Sequence, residues 1–170
     1  MSTTKVPSPE QLAQLSLKEL PDNLCDFGYK VLTTNDTIEK AILTQQAFKA
    51  WNSGQITKIT ATSNRKERIE PPLIPARPKN LQTVAPKDVP KRGAGSVQNR
   101  VALLHSISHM ESYAIDLSWD ILVRFACLDF LPVEYFEDWL RVADDEARHF
   151  FWLENRLMEL GSFYGDLPGK

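Results

Sequence analysis

Three residues of this chain have types and spacings that could do chemistry together: Glu111, Glu146 and His149. Glu146 and His149 are three apart, so on a helix both can point at one atom. Stepping about 100° per residue groups them with Trp139, Val142, Phe150, Leu153, Leu157 and Leu160 rather than with the charged back of the same helix. Glu111 is set in the same way among Leu104, Ile107, Ala114, Ile115, Leu122 and Phe125. An ionised carboxylate placed where a core should be is costly unless a cation or a proton compensates it.

The chain's own cations are poorly placed for that task. Arg148 projects from the far side of its helix, Arg124 lies well round from Glu111, and Arg100 is roughly 16 Å along the axis at the usual helical rise. A metal ion is the better candidate. Oxygen and imidazole ligands suit Fe(II) and Mn(II), with iron the first choice and manganese the second. The recurring di-iron and di-manganese bundle site takes a Glu from each of two helices and Glu-x-x-His from each of two others. This chain holds one of each, half of such a set. Two plainer readings stand beside it: a chance E-x-x-H on a surface helix, and a protonated or His-paired Glu111 with no metal at all.

His105, His109, Ser112 and Asp116 form a second polar stripe, and two His four apart can clamp a metal. The stripe lies about a third of a turn or more from Glu111. The expectation is therefore that His105 and His109 act behind the ligands, through hydrogen bonds to a proline-rich strap. Trp119, Phe125, Trp139, Phe150 and Trp152 are read mainly as helical core packing.

Two long helices must carry these residues. Ser96 can cap one that runs through VQNRVALLHSISHMESYAIDLSWDILVRFACL without proline or glycine, with a break from Asp129 to Pro132. The second, EYFEDWLRVADDEARHFFWLENRLMELG, starts acidic and stops at Gly161. A short connection makes them antiparallel neighbours within 96–170. Upstream, Asp36 with Glu39 opens a helix from about Thr37 to Trp51, inside a segment placed at 28–54. Residues 1–27 are read as short helical turns, with Ser8-Pro9-Glu10 a start and Pro21 a stop. Residues 55–95 hold Pro71, Pro72, Pro75, Pro78, Pro86 and Pro90, which excludes a helix or central strand. Apolar Ile69, Leu73, Ile74, Leu81, Val84 and Val89 favour an extended strap across the helices over a free linker.

A chain of 170 residues with 42% hydrophobic content supports one ordinary core, and the fold class is all-α. The formal charge of -2, from 20 basic and 22 acidic residues, leaves no basic stripe for nucleic acid. No stretch is apolar for long enough to span a bilayer and the start, MSTTKVPSPEQ, has no signal-like core, so a cytoplasmic protein is expected. Cys25 and Cys127 make neither a disulfide framework nor a zinc knuckle.

The runs GYKVLTTNDTIEKA, PPLIPARPKNL, PKRGAGSVQNRVALLHSISHMESYAIDLSWD and DDEARHFFWLENRLMELGSFYGDLP together resemble a ferritin-like family known as domain of unknown function 455. The resemblance runs from Gly28 onward. It implies metal ligands at Glu111, Glu146 and His149. The core Asp145-Glu146-Ala147-Arg148-His149 is also similar to the D-E-x-R-H pattern of di-iron oxygenases, which implies that Asp145 orients a ligating His from behind. Members of the family continue past GDLP into a second helix pair with another Glu and another Glu-x-x-His.

The reading that results is half of a ferritin-like four-helix bundle with a di-iron or di-manganese carboxylate site of oxidoreductase type. The alternative is a non-catalytic helical interaction module, or a truncated, metal-free copy of a longer protein. A wide apolar face on the helix pair calls for a cover, and a homodimer, or the missing helix pair, would supply it.

Overall fold

Three helices begin on a side chain that satisfies an N–H left unpaired by the first turn. Asn23 accepts from the Asp26 N–H at 3.0 Å, Asp36 from Glu39 at 2.9 Å and Ser96 from Asn99 at 3.1 Å. The fourth starts after Pro132 with Glu134 in its first turn. In this computed structural model, which describes residues 20–61, 70–79, 81 and 95–168, they are α1 (Leu24–Thr33), α2 (Thr37–Asn52), α3 (Val97–Phe125) and α4 (Val133–Glu159). No strand occurs among the described residues, so the fold is all-α. None of these helices is long and apolar enough to cross a membrane.

The long α3 and α4 share the largest interface, with α1 packed on α3 and α2 on α4. Glu111 meets His149 across the pair, whereas His105 further up α3 reaches Gly165 beyond the end of α4. Partner numbers rise as α3 numbers fall, so the two run antiparallel, as expected from the short link. Gly161, with φ of 77°, ends α4 in the left-handed conformation that favours glycine. The chain then folds back over α3.

Phe27, Trp119, Phe136, Leu140, Ala147 and Phe150 are fully buried at the centre. Two indoles tie the layers: Trp119 Nε1 donates to Thr44 Oγ1 at 2.8 Å and Trp51 Nε1 to Glu137 Oε1 at 3.1 Å. Gly28 of α1 lies so close to α3 that a Cβ there would sit 2.5 Å from Val123 Cγ2 and 2.9 Å from Trp119 Cε3. The missing side chain is what lets the two helices approach.

Several expectations change here. The sequence reading did not foresee α1, and segment 28–54 holds the end of that helix as well as α2. The helix start at Ser8-Pro9-Glu10 lies outside the described residues, as do Ile69, Val84 and Val89 of the strap. In the described part of the strap Leu73 and Ile74 are exposed, while Pro71 is buried and Leu81 half-buried; the Ala76 N–H to Leu32 O bond at 2.8 Å and the side chain of Arg77 also attach it. The inward face of α3 is also different. Ile115 and Leu122 are buried, but Leu104, Ile107 and Ala114 are half-buried and Phe125 is exposed. His105, Ser108, His109, Ser112 and Asp116 are inside instead. Periodicity shows which residues share a face, and polar residues with partners of their own turned the other face inward.

Candidate metal centre

Glu111 projects from the middle of α3 and Glu146 and His149 from consecutive turns of α4, all towards the groove between them. One ligand atom from each lies within 4.8 Å of the other two. His149 Nδ1 is 3.3 Å from Glu146 Oε2 and 3.7 Å from Glu111 Oε2. The triad is at the rim of the pair rather than in its core: the side chains of Glu111 and Glu146 are 20% and 22% exposed, and that of His149 45%. This corrects the expectation of carboxylates sunk in the interior. It follows from the outward turn of the apolar face that carries them.

The electrostatics of the triad are unbalanced. Glu111 is pushed up to about 7, first by partial burial and then by the hydrogen bond and charge of Glu146, while His149 opposes the shift. Among the described residues no Lys or Arg forms a salt bridge with Glu111 or Glu146. Arg148, the nearest in sequence, is held on the back of α4 by Asp144, at 3.0 Å, and by Asp145. Trp152 covers one side of His149, with ring centroids 5.6 Å apart.

The donor set of two carboxylates and one imidazole could hold a metal ion. Bonds of about 2.0–2.2 Å place trans ligands roughly 4.2 Å apart and cis ligands roughly 3 Å apart. A small side-chain rotation would bring two oxygens and one nitrogen from their present spacing onto one ion.

The other named residues sit elsewhere. Asp145 faces Arg148 and not His149, so it does not orient that ring here. His105 Nε2 accepts from the Gly165 N–H at 2.9 Å, and His109 Nδ1 pairs with Tyr164 Oη at 2.8 Å. Both imidazoles therefore bind the segment after α4, whereas a strap contact was expected; burial holds their pKa values below the ordinary range. Strap contacts are made by their neighbours: Arg77 donates to Ser112 Oγ at 3.0 Å and lies 2.5 Å from Asp116 Oδ2. Asp116 also takes Lys40 at 2.6 Å. Glu154, buried and pushed up by that burial, accepts from the Tyr164 N–H at 2.8 Å.

The sequence reading did not single out Lys40, Arg77, Glu154 or Tyr164. The available signal was weak: a lysine in the first turn of an otherwise apolar helix face and an arginine in a run of prolines.

Comparison with known proteins adds a family and no assigned activity. An uncharacterized protein of Haemophilus influenzae (strain ATCC 51907 / DSM 11121 / KW20 / Rd) is 41% identical over 97 residues, which cover 55% of this chain and 34% of that protein. The match thus spans about a third of its relative's length. No solved structure matches. The family described as "Protein of unknown function (DUF455)" matches residues 33–170, and the chain belongs to it.

Proposed function

We propose that the chain contributes half of a ferritin-like dinuclear carboxylate site for iron, or for manganese, and that the complete site serves an oxidoreductase reaction. The observation that carries this reading is the convergence of Glu111, Glu146 and His149 within 4.8 Å, with no Lys or Arg among the described residues in a salt bridge with either acid. When bound, such metals supply one-electron and oxygen chemistry that side chains lack. Glu111 and Glu146 would chelate or bridge, and His149 would bind as the neutral imidazole. Glu111 would release its proton on loading, because a ligating carboxylate must be ionised.

Three ligands do not fill a dinuclear site, and the rim position leaves room for more. The groove opens onto an apolar face. Leu103, Met110 and Leu117 of α3 are exposed at seven-residue spacing, and Val142 of α4 is exposed on the side that carries Glu146 and His149. Such a stripe suits another helix pair. A second copy related by a two-fold axis would add its own two Glu and one His, giving four carboxylates and two imidazoles.

A second reading rests on the raised pKa of Glu111. A proton shared by Glu111 and Glu146, with His149 alongside, would itself balance the acids, and the chain would then be a helical interaction module without metal.

Metal content of purified protein equilibrated with Fe(II) or Mn(II) separates the two. The metal reading expects about one ion per chain, as in a dinuclear dimer. It also expects Glu111→Ala and Glu146→Ala each to lose that ion while keeping helicity. Unchanged metal content in both variants would sink it. Sedimentation with and without Fe(II) tests completion by a second copy; a monomer holding two irons would refute that part.

A further inference from the structure

The half of α3 that bears Glu111 has no apolar anchor. From Val97 to Ala114 its buried residues are His105, Ser108, His109 and Ser112, and buried apolar side chains begin only at Ile115. Of the apolar residues of this half, Val97, Leu103 and Met110 face outward and Val101, Leu104 and Ile107 are only half-buried. Within this half, hydrophobic burial therefore does less than polar contacts to choose one rotation about the helix axis over another, whereas the half beyond it is anchored by Ile115, Trp119, Leu122 and Val123. Four of its serines, Ser106, Ser108, Ser112 and Ser118, return their hydroxyls to backbone carbonyls one turn back, an arrangement that loosens a helix further.

What does select a rotation is polar and long-range. Arg77, from the strap, pairs with Asp116, donates to Ser112 and lies 3.5 Å over the Tyr113 ring. Lys40, from α2, closes the other side of Asp116. Ser112 and Tyr113 follow Glu111 directly in the chain. Buried ion pairs are weak sources of stability, and their best-attested use is to fix register.

We propose that Arg77 and the Lys40–Asp116 pair are positioning groups for Glu111: they lock the rotation of α3 so that its carboxylate meets Glu146 and His149. The metal consequence rests on the reading above; the lock itself does not. With carboxylate oxygens about 5–6 Å from the axis, a 15° turn would shift them by roughly 1.5 Å, enough to spoil a shared ligand set. Arg77 is two-sided for this role, because its planar fork engages Asp116 and Ser112 at once while its face covers Tyr113. A lysine would keep the charge and lose the fork.

The test uses Mn(II) binding and its electron paramagnetic resonance spectrum, together with nuclear Overhauser contacts between Glu111 and His149 in the metal-free protein. Arg77→Met and the paired apolar replacement Lys40→Met with Asp116→Leu are expected to stay folded. They should weaken Mn(II) binding about 10–100-fold, as loss of groups that orient ligands does, change the spectrum and erase the Glu111–His149 contacts. Arg77→Lys should fall between them and the parent. Should Arg77→Met fail to fold, Arg77→Lys carries the same readouts. Unchanged contacts and unchanged Mn(II) affinity in the folded variants would overturn the lock, as would an affinity loss that merely tracks the unfolded fraction. If the parent binds no Mn(II) while the contacts are still lost in the variants, the metal reading fails and the lock stands.

Discussion

The two polar stripes of α3 teach by contrast. His105, His109, Ser112 and Asp116 face inward, and each meets a partner of matching polarity: Gly165, Tyr164, Arg77 and Lys40. Glu111, on the other flank, meets another carboxylate and an imidazole. The first stripe finds its partners within the protein, as buried polar groups generally do, with Asp116 Oδ2 held by the charge of Arg77 rather than by a hydrogen bond. The second has no Lys or Arg in a salt bridge with its acids among the described residues, which is the observation that the proposed metal reading rests on.

Removing an acid from each stripe should break this contrast most visibly. Asp116→Ala strands the Lys40 ammonium in the interior and should cost about 3–5 kcal/mol in denaturant unfolding. Glu111→Ala removes a carboxylate that burial and Glu146 already disfavour, and metal-free stability should change by less than about 1 kcal/mol or increase. Equal losses in the two variants would erase the distinction.

A smaller effect follows from pH. Glu111 has a folded pKa of about 7 against an ordinary 4.5, so between those values the native state holds more protons than the unfolded chain. Its contribution to metal-free stability is fully present below about 4.5 and is lost as pH rises through 7. Burial raises Asp116, Asp144 and Glu154 in the same direction, so the informative quantity is the difference between the parent and Glu111→Gln. That difference should change across pH 4.5–7 and level off above it. Metal affinity should climb over the same window, because the ion displaces the proton. A difference independent of pH would mean that folding does not raise the pKa of Glu111.

The smallest effect sharpens the boundary of the site. Asp145→Asn weakens an exposed pair with Arg148, and both stability and Mn(II) affinity should move only slightly, by up to about 1 kcal/mol in stability. A tenfold loss of Mn(II) affinity would bring Asp145 back among the groups that orient His149.

Local chemistry was legible in the sequence and long-range pairing was not. The caps at Asp36 and Ser96 and the stop at Gly161 marked three helices to within a few residues, because each is settled by neighbours in the chain. The helix α1 escaped notice because it has only ten residues and carries Gly28 in its middle, a poor helix former. Glu111, Glu146 and His149 could be brought together on paper because helical spacing and one antiparallel pairing suffice. The inward turn of the His105 stripe could not, since it depends on Lys40 and Arg77, which are 76 and 35 residues from the groups they bind. Nor could the rim position of the triad, which is the other side of the same rotation.

Gly28 also makes a statement about which sequences this fold can accept. A single methyl group there would run into Val123 and Trp119, and both belong to the helix that carries Glu111. Alanine at that position would act as a wedge between α1 and α3. Leu73 and Ile74, almost fully exposed on the strap, can be exchanged freely as far as packing is concerned. Among these described positions, tolerance to mutation follows contact with α3, and the residue least able to accept a larger side chain is the one with no side chain at all.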